Sequence, residues 1–241
     1  MNKRLLIFLV GILFSSYSFA GLFETDTIKT KNKGELVITF IKHGSIMFSC
    51  NKKTIQVDPV STNADYSAFP KADLILITHG HGDHLDSKAI ETISKEGSTI
   101  IANEASQRKI GKGTIMKNGD KLEVLKNISI EAFPAYNYTQ GREGYHPRNR
   151  DNGYILTIDG TRVYIAGDTE DIPEMKQLKG IDIAFLPVME PYAMSVTQAA
   201  NAAKMFYPKI LYPYHYGKTP VEKLVSELAG IPIDVRIRKM N

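Results

Sequence analysis

The chain is written in short apolar runs separated by polar breaks, and the period of those runs changes along it. Residues 35–41 and 45–50 alternate apolar and polar positions, and 54–57 follows an Asn51-Lys52-Lys53 turn, which predicts a meander of strands. Residues 73–78 are nearly all apolar, as a strand covered on both faces must be. A helix is expected over about 86–95, a buried strand over 99–102 and a short helix near 104–109. Further strands are expected over 121–125, 128–133, 154–158 and 162–166, with Asp159-Gly160 as the hairpin turn between the last two. Residues 181–186 read as another buried strand. A helix follows over 195–206, where Ser195 and Gln198 have capping-box spacing. A strand over 209–212 and a helix over 220–228, with Pro220 at its start, come next. Gly230-Ile231-Pro232 stops that helix and leaves a last strand near 234–237. A β-rich first half thus gives way to alternating strands and helices. No linker, low-complexity block or short repeat divides them. The long irregular stretch is 137–152, where Tyr, Arg and Gly crowd together, and such loops in compact domains are usually functional or mobile.

The first 20 residues follow another rule. Asn2-Lys3-Arg4 is a positive start, residues 5–14 are apolar apart from Gly11, and Ser18-Phe19-Ala20 places small residues where a signal peptidase reads. An apolar run of ten residues falls well short of the roughly 18–20 of a spanning helix. The expectation is a signal peptide over 1–20 and an exported domain over 21–241, periplasmic or secreted. No stable membrane anchor is expected after cleavage, and no Cys follows the cut to carry a lipid.

Composition narrows the classes further. Of 241 residues, 43% are hydrophobic and 23% charged, which excludes wholesale disorder. The formal charge of +4 drops to +2 once Lys3 and Arg4 are removed, too mild to argue for nucleic acid. A single cysteine, Cys50, excludes an internal disulfide framework and reads as a buried thiol.

The chemistry is concentrated after the all-apolar strand. Thr78-His79-Gly80-His81-Gly82-Asp83-His84 holds three of the chain's six histidines within six residues. Imidazole and carboxylate are the donors a zinc-like divalent ion prefers. His79 and His81, two apart, can share one ion, while Asp83 and His84 lean toward a second. Gly80 and Gly82 are expected to let the loop fold tightly.

His79-Gly80-His81-Gly82-Asp83-His84 resembles the HxHxDH motif of the metallo-β-lactamase superfamily. Val57-Asp58-Pro59, Ala166-Gly167-Asp168-Thr169 and Pro213-Tyr214-His215-Tyr216 resemble that family's preceding aspartate strand, its Gly-Asp-Thr motif and its late strand-end histidine. The likeness extends from about Glu35 to the C-terminus, and order and spacing are similar to the subgroup of ascorbate-phosphate lactonase-like and uncharacterised metal-dependent hydrolases. The resemblance implies a single-domain, four-layer αββα sandwich with two divalent ions at one sheet edge, zinc first and manganese or iron as alternatives. It also implies that Asp168 bridges the ions and that His215 serves the second. Asp58 is expected to orient a ligand histidine, and His43 to line the site, to hydrogen-bond a ligand, or to be a satisfied structural histidine.

One position departs from the pattern. Asn137 stands where the family supplies a third histidine to the first ion. Either His146, inside the long loop, completes that site, or Asn137 helps hold water there; His146 is the favoured reading. The family chemistry implies hydrolysis of an ester, lactone, amide or phosphodiester of a small molecule by a metal-bound hydroxide, with Asp83 orienting the water or taking its proton. Arg142, Arg148 and Arg150, with Tyr138 and Tyr145, put basic and aromatic groups on the loop, and Tyr192 is expected at the mouth. Two alternatives remain: a true β-lactamase, and a non-catalytic metal-binding module on the same fold.

Overall fold

Strand alternation decides which faces are buried. In β5 (Leu74–Ile77), Leu74 and Leu76 enter one apolar cluster while Ile75 and Ile77 enter another, so the strand is apolar because both of its faces are covered. The same division holds in β3 (Ser45–Cys50), where Ile46 and Phe48 face inward and Met47 faces the outer layer. A computed structural model describes residues 22–240, and the leader expected over 1–20 lies outside the described residues.

Two seven-stranded sheets form, each from consecutive strands. The first is β1 (Glu24–Lys29), β2 (Glu35–Lys42), β3, β4 (Lys53–Val57), β5, β6 (Thr99–Ala102) and β7 (Thr114–Ile115). The second is β8 (Lys121–Leu125), β9 (Ile128–Ala135), β10 (Asp151–Ile158), β11 (Thr161–Ile165), β12 (Ile183–Pro187), β13 (Ile210–Tyr214) and β14 (Asp234–Val235). Each sheet runs as four antiparallel strands, and three more then join in parallel. The fold is therefore duplicated in topology, although no repeat is visible in the residues.

Helices cover the outer faces. α1 (Ser87–Ile93), capped by the Asp86 carboxylate on the Lys88 and Ala89 amides, buries Ile90 and Ile93 against Ile75 and Ile77 of the first sheet. α2 (Glu104–Ile110) follows β6, with Asn103 as its cap. On the other side α3 (Val196–Phe206) starts at the Ser195–Gln198 capping box expected from the sequence. Its Phe206 packs edge-on against Tyr164 of β11, and α4 (Glu222–Glu227) adds Leu224 to the same core. Between the sheets, Phe40 of β2 packs against Phe185 of β12 and Tyr212 of β13, at centroid distances of 4.9 to 6.2 Å. The four-layer αββα sandwich is the architecture expected above.

Most misses are at the edges, although the central strand β10 also begins at Asp151, before the expected 154–158 and within the stretch expected to be irregular. β1 and β7 were not expected, because neither carries an apolar alternation; β1 is mostly exposed and β7 is two exposed residues. The last expected strand shortens to Asp234–Val235. Among the described residues no helix is long and apolar enough to cross a membrane.

Main-chain hydrogen bonds join the sheets at one edge, where β2, β5 and β13 end and β10 begins. The Asn152 amide donates to Thr78 O at 3.1 Å, and the His215 amide donates to His43 O at 3.1 Å. Elsewhere a polar knot ties β1 to the C-terminal segment: Asp26 accepts from the Tyr212 hydroxyl, from Arg236 Nη1 at 3.3 Å, and from Arg238 Nε at 3.0 Å and Nη2 at 2.7 Å. Burial alone would raise the Asp26 carboxyl, but Tyr212 and Arg238 outweigh it and hold it below its ordinary value. Asp26→Asn should therefore cost about 1–3 kcal/mol and several degrees of Tm at neutral pH. A lowered folded pKa stabilises above the unfolded carboxylate value and is lost as pH falls, so thermal melts of the two proteins should converge in acid.

Candidate metal centre

All the candidate ligands but His146 follow the carboxyl end of a strand, on the edge where the sheets are joined, and His146 comes from the long loop between β9 and β10. β5 leads into Thr78–His84, β11 into Asp168, β13 into His215, and β2 into His43. Gly167 has φ +67°, and a Cβ there would meet Asn152 O at 2.8 Å, so only glycine lets Asp168 reach the centre. The glycines of the histidine loop are not needed in that way. Neither Gly80 nor Gly82 has positive φ, and a Cβ on Gly82 would meet nothing within 4 Å.

The donors gather around Asp168, which is 3% exposed. Its Oδ2 lies 3.3 Å from His215 Nε2, 3.6 Å from both His84 Nε2 and His146 Nε2, and 4.0 Å from His79 Nε2. Asp83 Oδ2 lies 3.8 Å from His215 Nε2 and 4.0 Å from His84 Nε2. With metal–donor bonds of about 2.0–2.2 Å, neighbouring donors around one ion stand about 3–3.5 Å apart, close to these spacings. His79, His81 and His146 form one group of converging donor atoms, and His43, Asp83, His84 and His215 form another.

His43 Nε2 and Asp83 Oδ2 are hydrogen-bonded to each other at 3.0 Å, but several of the other donor atoms have no such partner. His79 Nε2, His84 Nε2, Asp168 Oδ1 and both ring nitrogens of His215 are buried without a hydrogen bond. Buried polar atoms are ordinarily paired, and a divalent cation would satisfy this set. The opposite ring nitrogens are held from behind. His84 Nδ1 meets Asp58 Oδ2 at 2.8 Å, His146 Nδ1 meets Asp151 Oδ2 at 3.0 Å, and His79 Nδ1 meets Thr78 Oγ1 at 3.0 Å. Those contacts turn each Nε2 toward the centre. Asp58 also accepts from the Thr78 amide and hydroxyl, which ties β4 to the loop.

The field matches this arrangement. Burial pushes His79 well below the ordinary histidine range and lowers His81, favouring the neutral imidazoles that bind metal. His84 differs: burial lowers it, but Asp168 and Asp58 together outweigh burial and push it up to about 9. A cation bound at its Nε2 would take the place of that proton. His215 and His43 hold the Asp83 carboxyl far below its usual range.

The structure brings His146 into the cluster, while Asn137 lies behind the loop with its Oδ1 buried and unpaired. The Asn137 amide donates to Tyr192 O at 2.8 Å, and its own main-chain amide donates to His146 O at 2.9 Å, so Asn137 braces the loop that delivers His146. Tyr192 is 42% exposed and packs edge-on to Tyr145. The loop arginines are engaged: Arg142 with Glu190, Arg148 with Glu174 and Arg150 with Asp151, at 2.6 to 2.7 Å.

Three supporting residues escaped sequence reasoning. Asp151 orients His146, yet in sequence it is one acid among several near a loop end. Glu170, fully buried, accepts from the Tyr138 and Thr139 amides at 2.8 and 2.7 Å and clamps the loop; its place two residues after Asp168 was the available signal. Gly44 lies against the His84 ring, where a Cβ would come within 2.7 Å of Cε1.

Residues 37–215 match the β-lactamase superfamily domain, and the chain belongs to the metallo-β-lactamase superfamily. It is a metal-dependent hydrolase of that superfamily, with a histidine and aspartate cluster able to bind metal. A UPF0173 metal-dependent hydrolase of Pyrococcus furiosus is 33% identical, over 81% of this chain and 95% of that one. Among solved structures, a metal-dependent hydrolase, so described, from Parabacteroides distasonis is 64% identical with a TM-score of 0.90, covering 91% of this chain and 100% of that one. Igni18, a metallo hydrolase of Ignicoccus hospitalis, is 26% identical with a TM-score of 0.70, covering 86% and 96%.

Two substitutions test the supports. Gly44→Ala should displace the His84 ring and lower metal content in a chain that still melts cooperatively, as read by elemental analysis and circular dichroism. Asp151→Asn should free the His146 ring and weaken metal binding about 10–100-fold, read by competition with a chromogenic chelator.

Proposed function

We propose that the chain is an exported binuclear hydrolase of a small molecule, with zinc as the first choice of ion. The observation that carries this reading is Asp168, whose Oδ2 lies against His79 and His146 on one side and His84 and His215 on the other. His79, His81 and His146 would hold one ion, and Asp83, His84 and His215 the other, with Asp168 between them. Two divalent ions bound there would lower the pKa of water toward neutral and polarise the scissile oxygen.

The protein groups have separate tasks. Asp58, Asp151 and Thr78 fix the rings, so little reorganisation is left for the reaction. Asp83 is 55% exposed, whereas Asp58, Asp151 and Asp168 are buried. It is therefore the carboxylate of the cluster placed to orient a water molecule and pass a proton to solvent. With Arg142, Arg148 and Arg150 occupied by acids and Lys109 as the cation on the histidine loop at Gly80 O, the long loop itself offers uncharged groups such as Tyr145, packed against Tyr192. That favours an ester, lactone or amide over a phosphodiester.

A panel of lactones, esters, amides, thioesters and phosphodiesters, with nitrocefin, should be tested on the zinc-loaded protein. Turnover of an ester, lactone or amide is expected. Rapid nitrocefin turnover would make the chain a β-lactamase, and well under one metal per chain would favour a binding module. Asp83→Ala and His84→Ala should each lose at least about a hundredfold in rate while remaining folded. The export reading rests on the leader over 1–20, and N-terminal sequencing of protein from the producing cell should begin at Gly21.

A further inference from the structure

His43 does not belong to any of the motifs that mark the site, yet it is built into the second group of donors. Its Nε2 lies 3.0 Å from Asp83 Oδ2, and its ring centroid is 3.7 Å from that of His215 and 5.6 Å from that of His84. The donor atoms of His43, Asp83, His84 and His215 all lie within 4.8 Å of one another.

The backbone is committed to this placement. His43 has φ +57°, in the left-handed region that a histidine adopts at some cost. The segment is fixed on both sides, because the His43 amide donates to Met240 O at 2.7 Å and its carbonyl accepts the His215 amide at 3.1 Å. A left-handed residue here lets β2 turn at its end and aim the imidazole back over His215. Gly44, the next residue, leaves room for the His84 ring. A strained residue held from two sides, with its side chain among metal donors, indicates a positional requirement rather than a turn alone. The ring is only 21% exposed.

We propose that His43 is a protein ligand of the second metal position, alongside Asp83, His84, His215 and the shared Asp168. The proposal rests on the two-ion reading above. Its consequence is an unequal pair: the second position is enclosed by five protein donors, and the first by His79, His81, His146 and Asp168. An ion bound at the second position would have one more protein donor than an ion at the first, and would be expected to leave more slowly.

The test uses His43→Asn, because asparagine tolerates left-handed backbone and keeps the main-chain bonds, while its amide is too short to reach the Nε2 position. His43→Gln is the second variant. Metal-free protein is titrated with Co(II), reading the number of ions bound, their affinities and the visible ligand-field spectrum, with thermal melts of the metal-free forms as the control on folding. Wild type should bind two ions. His43→Asn should weaken one of them by more than the roughly 10–100-fold expected from loss of a residue that only hydrogen-bonds Asp83, and shift the ligand-field bands of that ion alone, with the melt of the metal-free form unchanged. A loss within that range with unshifted bands would make His43 a support of Asp83 and overturn its assignment as a ligand. Two ions at wild-type affinity with an unaltered spectrum in both variants would overturn the assignment of His43 while leaving the two-ion reading intact. A wild-type chain that saturates at one ion would overturn the two-ion reading itself, and the proposal with it.

Discussion

A carboxylate buried to 3% exposure, with four imidazole nitrogens within 3.3 to 4.0 Å of one oxygen, is the constraint around which this molecule is arranged. Desolvating Asp168 is costly unless positive charge is close, and the surrounding groups supply that charge only as protons or as bound cations. Burial acts to raise the Asp168 carboxyl, and His215, His84 and His146 reverse the effect and keep it lowered. Neutralisation from several sides requires donors from several strands. Those strands belong to different sheets, so the electrostatic requirement of one residue becomes a requirement on the whole sandwich.

The duplicated topology meets that requirement. Parallel strands in each half deliver their carboxyl ends to one edge, where loops carry polar groups without breaking a sheet. The first half contributes His43, Asp58 and His79 to His84, and the second contributes His146, Asp151, Asp168 and His215. Neither half holds a complete donor set. The buried acids behind the rings come from both halves as well, Asp58 on His84 and Asp151 on His146.

Much of this was legible in the sequence, for reasons that differ by element. β3, β6 and β8 carry clear periodicity or apolar runs, and their bounds were expected as observed. The histidine loop was legible because its donors are contiguous and follow a buried strand. β1 was not, because an edge strand that is mostly exposed carries no apolar rhythm. The placement of His146 could be narrowed to two readings, since a residue in a loop of this length reaches the centre only through tertiary anchors. Those anchors are Glu170, Asn137 and Asp151, each separated from the others by contacts no local pattern records. Gly80 and Gly82 misled in the opposite direction: they resemble a steric device, and the backbone at both is ordinary.

The aromatic stack of Phe40, Phe185 and Tyr212 sets how far apart the two sheets lie. Since donors hang from both sheets, rings packed between the sheets help fix how the two donor sets meet, so core volume bears on the geometry of the site. Interiors are too densely packed to absorb a lost methylene silently. Sequence drift in this core is then read out at the mouth of the molecule, and residues that never meet a substrate share in deciding how well one is handled.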